Sequence, residues 1–170
     1  GAVKVQCKGW NRMEYGLQMY SVRDITQENL ADAVAKVAKI GYKLIEFAGF
    51  FGNSADAVNA MLRENGVRVS GTHSSLNDLV NDYEATLAFH KAIVNANYII
   101  PGHDLSTREK LDAFIEQVNR LQPMLEKEGI ALGYHNHDHE FKPNNDGQII
   151  YDELVKRTNL WLEIDTFWAY

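Results

Sequence analysis

The chain has 170 residues, 45% of them hydrophobic and 24% charged, which excludes a disordered polar tail and leaves ample apolar material for a core. Its formal charge of −6 comes without a Lys/Arg cluster, so no nucleic-acid partner is expected; no apolar run approaches the roughly 20 residues needed to span a bilayer, so no membrane partner is expected either. The single cysteine, Cys7, excludes an intramolecular disulfide and fits a reducing compartment; a cytoplasmic location is expected, or a periplasmic one where an export signal was removed ahead of Gly1, since residues 1–10 have no signal-peptide core.

From about Tyr15 onward, short β-branched runs alternate with amphipathic stretches, the pattern of parallel βαβ units. The first strand is read as Gly16 to Val22. A helix follows, with Thr26 as its N-cap, Leu30, Val34, Val37 and Ala38 on one face, and Gly41 as its stop. Strand two is Lys43 to Ala48, and its helix starts at Ser54, buries Val58, Met61 and Leu62, and ends at Gly66. Strand three runs from Val67 to Thr72, helix three from about Asp82 to Ala96, and strand four is Tyr98 to Ile100. Ser106 to Glu109 reads as a capping box opening helix four, which buries Leu111, Phe114, Ile115, Val118 and Leu121; Pro123 is expected to kink it or begin a new turn. Strand five is Ile130 to His135. After a loop through Pro143 and Gly147 come a short helix, Ile149 to Arg157, and strand six, Leu160 to Asp165.

No linker divides these units, so one domain over residues 1–170 is expected. A doubly wound sheet would carry a phosphate-binding glycine loop after strand one. Ser21-Val22-Arg23-Asp24 stands there instead, which favours an α/β fold of the (β/α)8 TIM-barrel type. A complete barrel takes around 250 residues and eight strands. The expectation is therefore an incomplete barrel, cut after strand six.

In a barrel, functional groups collect at the carboxyl ends of the strands. Glu46 ends strand two, His73 ends strand three, His103 follows strand four, His135 and His137 end strand five, and Asp165 ends strand six. Alternation places Glu163 on the same face as Asp165, one layer lower. His135 and His137 share one side of an extended chain, and imidazole with carboxylate suits Zn2+, Mn2+ or Fe2+. His73 is read either as a core histidine bonded to a carboxylate or as a substrate contact, and Glu46 either as a partner for a barrel cation or as a substrate contact. His103 caps a helix start or touches substrate. His90 is read as a surface residue. Trp168 is either packing or a ring lining a sugar pocket.

The segments Gly16 to Asp24, Ile45 to Gly49, Gly71-Thr72-His73, Tyr134 to Phe141 and Glu163 to Thr166 together resemble the sugar phosphate isomerase/epimerase group of xylose-isomerase-like barrels. The resemblance implies one divalent metal ion, Mn2+, Zn2+, Mg2+ or Fe2+, held by a Glu, an Asp, a His and a Glu from strands five to eight. Asp165 matches the Asp of strand six. At the strand-five position, usually Glu, stands His135, with His137 and Glu140 close behind. That departure resembles an inosose dehydratase-like and keto-sugar lyase-like branch. The implied activity is isomerisation or epimerisation of a sugar, keto-sugar or cyclitol by proton transfer next to a carbonyl, or dehydration or lyase chemistry on an inosose or 3-keto-glycoside. His135 and Asp165 are the expected metal ligands, Glu140 and His137 reserve ligands or acid/base groups, and Glu46, His73, His103 and Trp168 the substrate contacts. An endonuclease-IV-like role shares the barrel but conflicts with the acidic balance. An inactive fragment, or a barrel completed by a partner, is the remaining alternative; its open sheet edges would favour homo-oligomers.

Overall fold

The computed structural model describes residues 14–169; Cys7 and the leading segment 1–10 lie outside them. Six strands form one parallel sheet in the order β1 (Gly16–Gln18), β2 (Leu44–Ala48), β3 (Arg68–His73), β4 (Asn97–Ile100), β5 (Ala131–His135) and β6 (Trp161–Glu163). Each strand pairs with the next in sequence. A doubly wound sheet reverses strand order at its switch point, so the uninterrupted order is that of consecutive βα units of a (β/α)8 barrel. Among the described residues, β1 and β6 form the two outer edges.

Strand alternation sorts the side chains. Ile45, Phe47, Tyr98, Ile100, Leu132 and Tyr134 turn outward and are buried beneath the helices. They seed two apolar clusters. One gathers Ile45, Phe47 and Met19 with Leu30, Ala33, Val34 and Val37 of α2 (Leu30–Ile40) and Val58, Met61 and Leu62 of α3 (Ala55–Asn65). The other packs Tyr98, Ile100, Leu132 and Tyr134 against Leu111, Phe114, Ile115, Val118, Leu121 and Leu125 of α6 (Arg108–Lys127) and Ile150 and Leu154 of α7 (Ile150–Arg157). The inner face instead carries Gln18, Glu46, His73, His135 and Glu163.

Several local expectations are corrected. The first strand stops at Gln18; Met19–Val22 is a 3-10 turn leading into α1 (Arg23–Glu28). Thr26 lies inside α1, with its hydroxyl bonded to the Arg23 carbonyl at 3.2 Å, while Asn29 caps α2 by accepting from Asp32 N at 3.0 Å. Helix three is preceded by a separate helix, α4 (Leu76–Asn81), capped by Ser75, and itself spans α5 (Tyr83–Ala92), capped by Asp82. Thr107, not Ser106, caps α6: its hydroxyl accepts from Lys110 N, and the Ser106 hydroxyl turns away to Asp104. Pro123 begins no new element, since α6 continues to Lys127. The glycine stops do hold, with Gly41 and Gly66 in left-handed conformations at φ 119° and 60°.

Gly133 of β5 has a packing reason of its own. A Cβ there would lie 2.6 Å from Trp161 Cε2, so the bare backbone admits the neighbouring indole onto the inner face. One layer up, the same two strands pair His135 with Glu163.

Candidate functional site

The site is built by residues of five strands, β1, β2, β3, β5 and β6. In register, Gln18 stands opposite Glu46, Ala48 opposite His73, and His135 opposite Glu163. A register shift between Ile45 and Glu46 sets Glu46 against Gly71 rather than Ser70, so β3 carries an extra residue that brings His73 into line with the other inner groups.

Glu163 is the hub. Its Oε2 lies 2.8 Å from His73 Nε2 and 3.0 Å from His135 Nδ1. The same His73 nitrogen is 3.0 Å from Glu46 Oε1, and Gln18 Nε2 donates to that oxygen at 2.8 Å. The His73 and His135 rings sit 4.7 Å apart. Burial pushes His73 toward the neutral form, but hydrogen bonds to Glu163 and Glu46 outweigh it and hold the imidazole at about 9. Burial likewise pushes Glu163 up, and hydrogen bonds from His135 and His73 bring it well below the usual carboxylate range.

Asp165 sits just beyond β6. Its Oδ2 is 3.6 Å from His135 Nε2, within ion-pair reach but too long for a hydrogen bond. Asn136 fixes its backbone from both sides, accepting from Asp165 N at 2.9 Å and donating to Asp165 O at 3.2 Å. His135 therefore presents one nitrogen to Glu163 and the other toward Asp165.

The remaining sequence candidates occupy other places. Glu140, in the 3-10 turn His139–Phe141, is fully enclosed: it accepts the Tyr134 hydroxyl at 2.7 Å and the backbone N–H of His137 at 2.7 Å, and lies 3.1 Å from His139 Nε2. Burial, followed by Glu140, pushes the Tyr134 hydroxyl far up, so it stays a donor. The His137 ring is 5.2 Å from that of His135 and 5.9 Å from the half-exposed Trp168 indole, and burial pushes it down. His103 packs on Phe114 at 5.2 Å, where burial also lowers it. The structure thus brings together His73, Glu46, His135 and Asp165, with His137 one ring away, and leaves His103 apart.

Two members were not assigned roles from sequence, Gln18 and Glu163. Alternation already places Glu163 on the inner face without giving it a role, and the same rule applied to β1 would have found Gln18. The surface reading of His90 is corrected. His90 is buried, 3.0 Å from Asn95 Nδ2 and 3.4 Å from Thr72 Oγ1, and burial lowers it to about 4. Its spacing of three from buried Leu87 was the signal. Beside His73, a hollow of about 630 Å³ opens between Phe50, Ser74, Asp78 and Phe89.

The fit of a metal ion rests on the donor set. His73, His135 and Glu163 each offer a ligand atom, all within 4.8 Å of one another, and two imidazoles with a carboxylate match Zn2+, Mn2+ or Fe2+ better than the oxygen-seeking Mg2+. Among the described residues, no helix is long and apolar enough to cross a membrane.

No protein-family model matches the sequence, and no curated protein matches it. Solved structures share its fold. A sugar phosphate isomerase/epimerase from Parabacteroides distasonis is 21% identical with TM-score 0.78, the match covering 99% of this chain and 69% of that one. An AP endonuclease, family 2, from Brucella melitensis is 15% identical with TM-score 0.64, covering 90% and 68%. A D-psicose 3-epimerase crystallised in the presence of D-fructose is 15% identical with TM-score 0.59, covering 91% and 64%. The chain thus spans about two thirds of the length of each, and the fold expected from its motifs is the fold observed.

Proposed function

We propose that the chain works as a divalent-metal-dependent isomerase or epimerase of a sugar, keto-sugar or cyclitol, moving a proton at the carbon next to a carbonyl. One observation carries this reading: ligand atoms of His73, His135 and Glu163 converge within 4.8 Å at the strand ends where barrel enzymes hold their substrates. His73, His135 and Glu163 would hold the ion, with Asp165 facing the free side of His135. Bound there, it would supply Lewis-acid stabilisation of the charge that develops on a carbonyl oxygen as the neighbouring C–H is broken.

The chain's own groups do the rest. Glu46, fixed by the Gln18 amide and 3.0 Å from His73 Nε2, is the carboxylate we assign to the proton. Glu140 is fully enclosed and already accepts two hydrogen bonds, so it supports the histidine loop rather than meeting substrate. Trp168 against His137 offers an aromatic face to a sugar ring at the mouth. The Parabacteroides distasonis sugar phosphate isomerase/epimerase and the D-psicose 3-epimerase share this fold, which supports a carbohydrate substrate.

The test is to strip the protein with chelator, reload it with Zn2+, Mn2+ or Fe2+, and follow ketohexoses, inososes and 3-keto-glycosides by NMR. Metal-dependent appearance of an isomer or epimer, lost in Glu46→Gln, is expected. Loss of water or of an aglycone would reassign the protein as a dehydratase or lyase of the same fold, and no conversion with any loaded metal would overturn the reading. The shared fold of the AP endonuclease raises a DNA-directed alternative; the charge of −6 opposes it, and absence of salt-sensitive DNA binding would dispose of it.

A further inference from the structure

Immediately beyond β5, a second group of donors stands outside the centre described above. His137, His139 and Glu140 each present a ligand atom, all within 4.8 Å of one another. The His137 and His139 rings lie parallel, 14° apart in plane with centroids 5.8 Å apart. Two features of this group are unbalanced. Glu140 is completely buried, yet among the described residues the ionisable nitrogen beside it is that of His139, at 3.1 Å, and no Lys or Arg pairs with it. An enclosed carboxylate without a cation is expensive to keep charged. In addition, Nδ1 of His137 is buried without a hydrogen-bond partner. Native structures rarely leave such an atom unmet, and an absent ion is one of the ordinary reasons.

From this arrangement we propose that His137, His139 and Glu140 form a second cation site, distinct from the His73–His135–Glu163 centre and selective for a borderline transition ion such as Zn2+ or Co2+. The carboxylate has capacity for it. Its two oxygens offer about four lone-pair directions, and the Tyr134 hydroxyl and the His137 N–H occupy one on each oxygen. Those two bonds then become the outer shell that aims the carboxylate, as supporting hydrogen bonds do around metal ligands generally. Access comes from the His139 side, whose side chain is 51% exposed. The ring of His135 stands 5.2 Å from that of His137, so the two ions would be neighbours in one polar floor.

The site is independent of the catalytic reading in its residues, and the experiment separates the two. Chelator-stripped protein is titrated with Co2+, read by its visible ligand-field absorption, and with Zn2+ by calorimetry, using wild type, His139→Ala and His135→Ala. Wild type is expected to take up two equivalents. His139→Ala should lose one and keep the other; His135→Ala should lose the complementary one. Co2+ filling the second site should also quench Trp168, whose indole is 5.9 Å from His137, and His139→Ala should abolish that quenching. Because His139 is half exposed, its removal should leave the far-UV circular dichroism unchanged, which keeps a null result interpretable. Uptake of one equivalent by wild type, abolished by His135→Ala and untouched by His139→Ala, would overturn the second site while leaving the catalytic centre standing. One equivalent lost only in His139→Ala would do the reverse.

Discussion

Glu163→Gln keeps the shape of the hub residue and removes its charge. In metal-free protein, His73 titrates at about 9 although burial acts in the opposite direction, so the carboxylates around it must outweigh desolvation. The gap from the ordinary 6.5 to about 9 corresponds to about 3 kcal/mol. Glu163, at 2.8 Å, makes the larger hydrogen-bond contribution, and Glu46, at 3.0 Å, adds its own hydrogen bond and charge. A folded-state value above the unfolded one means that this stabilisation is complete below about pH 6.5 and is lost as pH rises through about 9. In chelator-treated protein, Glu163→Gln should therefore lower the His73 titration by at least about one pH unit and remove about 1.5 kcal/mol of the stability difference between pH 6.5 and 9. The assays are the NMR titration of the His73 ring and urea unfolding at the two pH values. A His73 titration unmoved by the substitution, or a wild-type stability flat across that window, would refute the reasoning.

His90 gives the opposite sign: its folded value, lowered to about 4 by burial, predicts stability that falls as pH drops from about 6.5 to 4, by up to about 3 kcal/mol. Urea unfolding across that range should show this slope in wild type and a shallower one in His90→Gln. Gly133→Ala would place a methyl 2.6 Å from the Trp161 ring and should destabilise the chain by about 1–3 kcal/mol, with a shift in tryptophan emission as the indole is expelled. An unchanged urea midpoint would show that the indole yields without loss.

The sequence reveals the fold through its period, because each βα unit repeats the same solution: an apolar strand face beneath an amphipathic helix, closed by a glycine such as Gly41 or Gly66. Helix starts are less legible. Thr26 and Ser106 have the right side chains for caps, but which neighbour wins depends on backbone geometry that only packing decides; Asn29 and Thr107 sit one helical step or one residue away. The 3-10 turn after Gln18 was hidden because Met19, fully buried, looks like strand core. At the site, strand-end position points to His73, His135 and Asp165, and alternation puts Glu163 on the inner face; what sequence leaves open is the role of Glu163, because β6 ends at that residue and not at Asp165, so that Glu163 is the carboxylate that contacts two histidines. His-rich composition placed His137 and Glu140 near the chemistry; that Glu140 is wholly enclosed follows from the fold of the loop, which no local pattern encodes.

The proposed proton transfer can be read without knowing the product. Metal-reloaded protein incubated with ketohexoses and inososes in D2O should introduce deuterium at the carbon next to the carbonyl, detected by NMR, at a rate that falls with chelator and with Glu46→Gln. Washing-in of deuterium that requires both the ion and Glu46 is the predicted result. Carbon-bound hydrogen that stays unexchanged in every substrate, with metal bound at His135, would contradict the account.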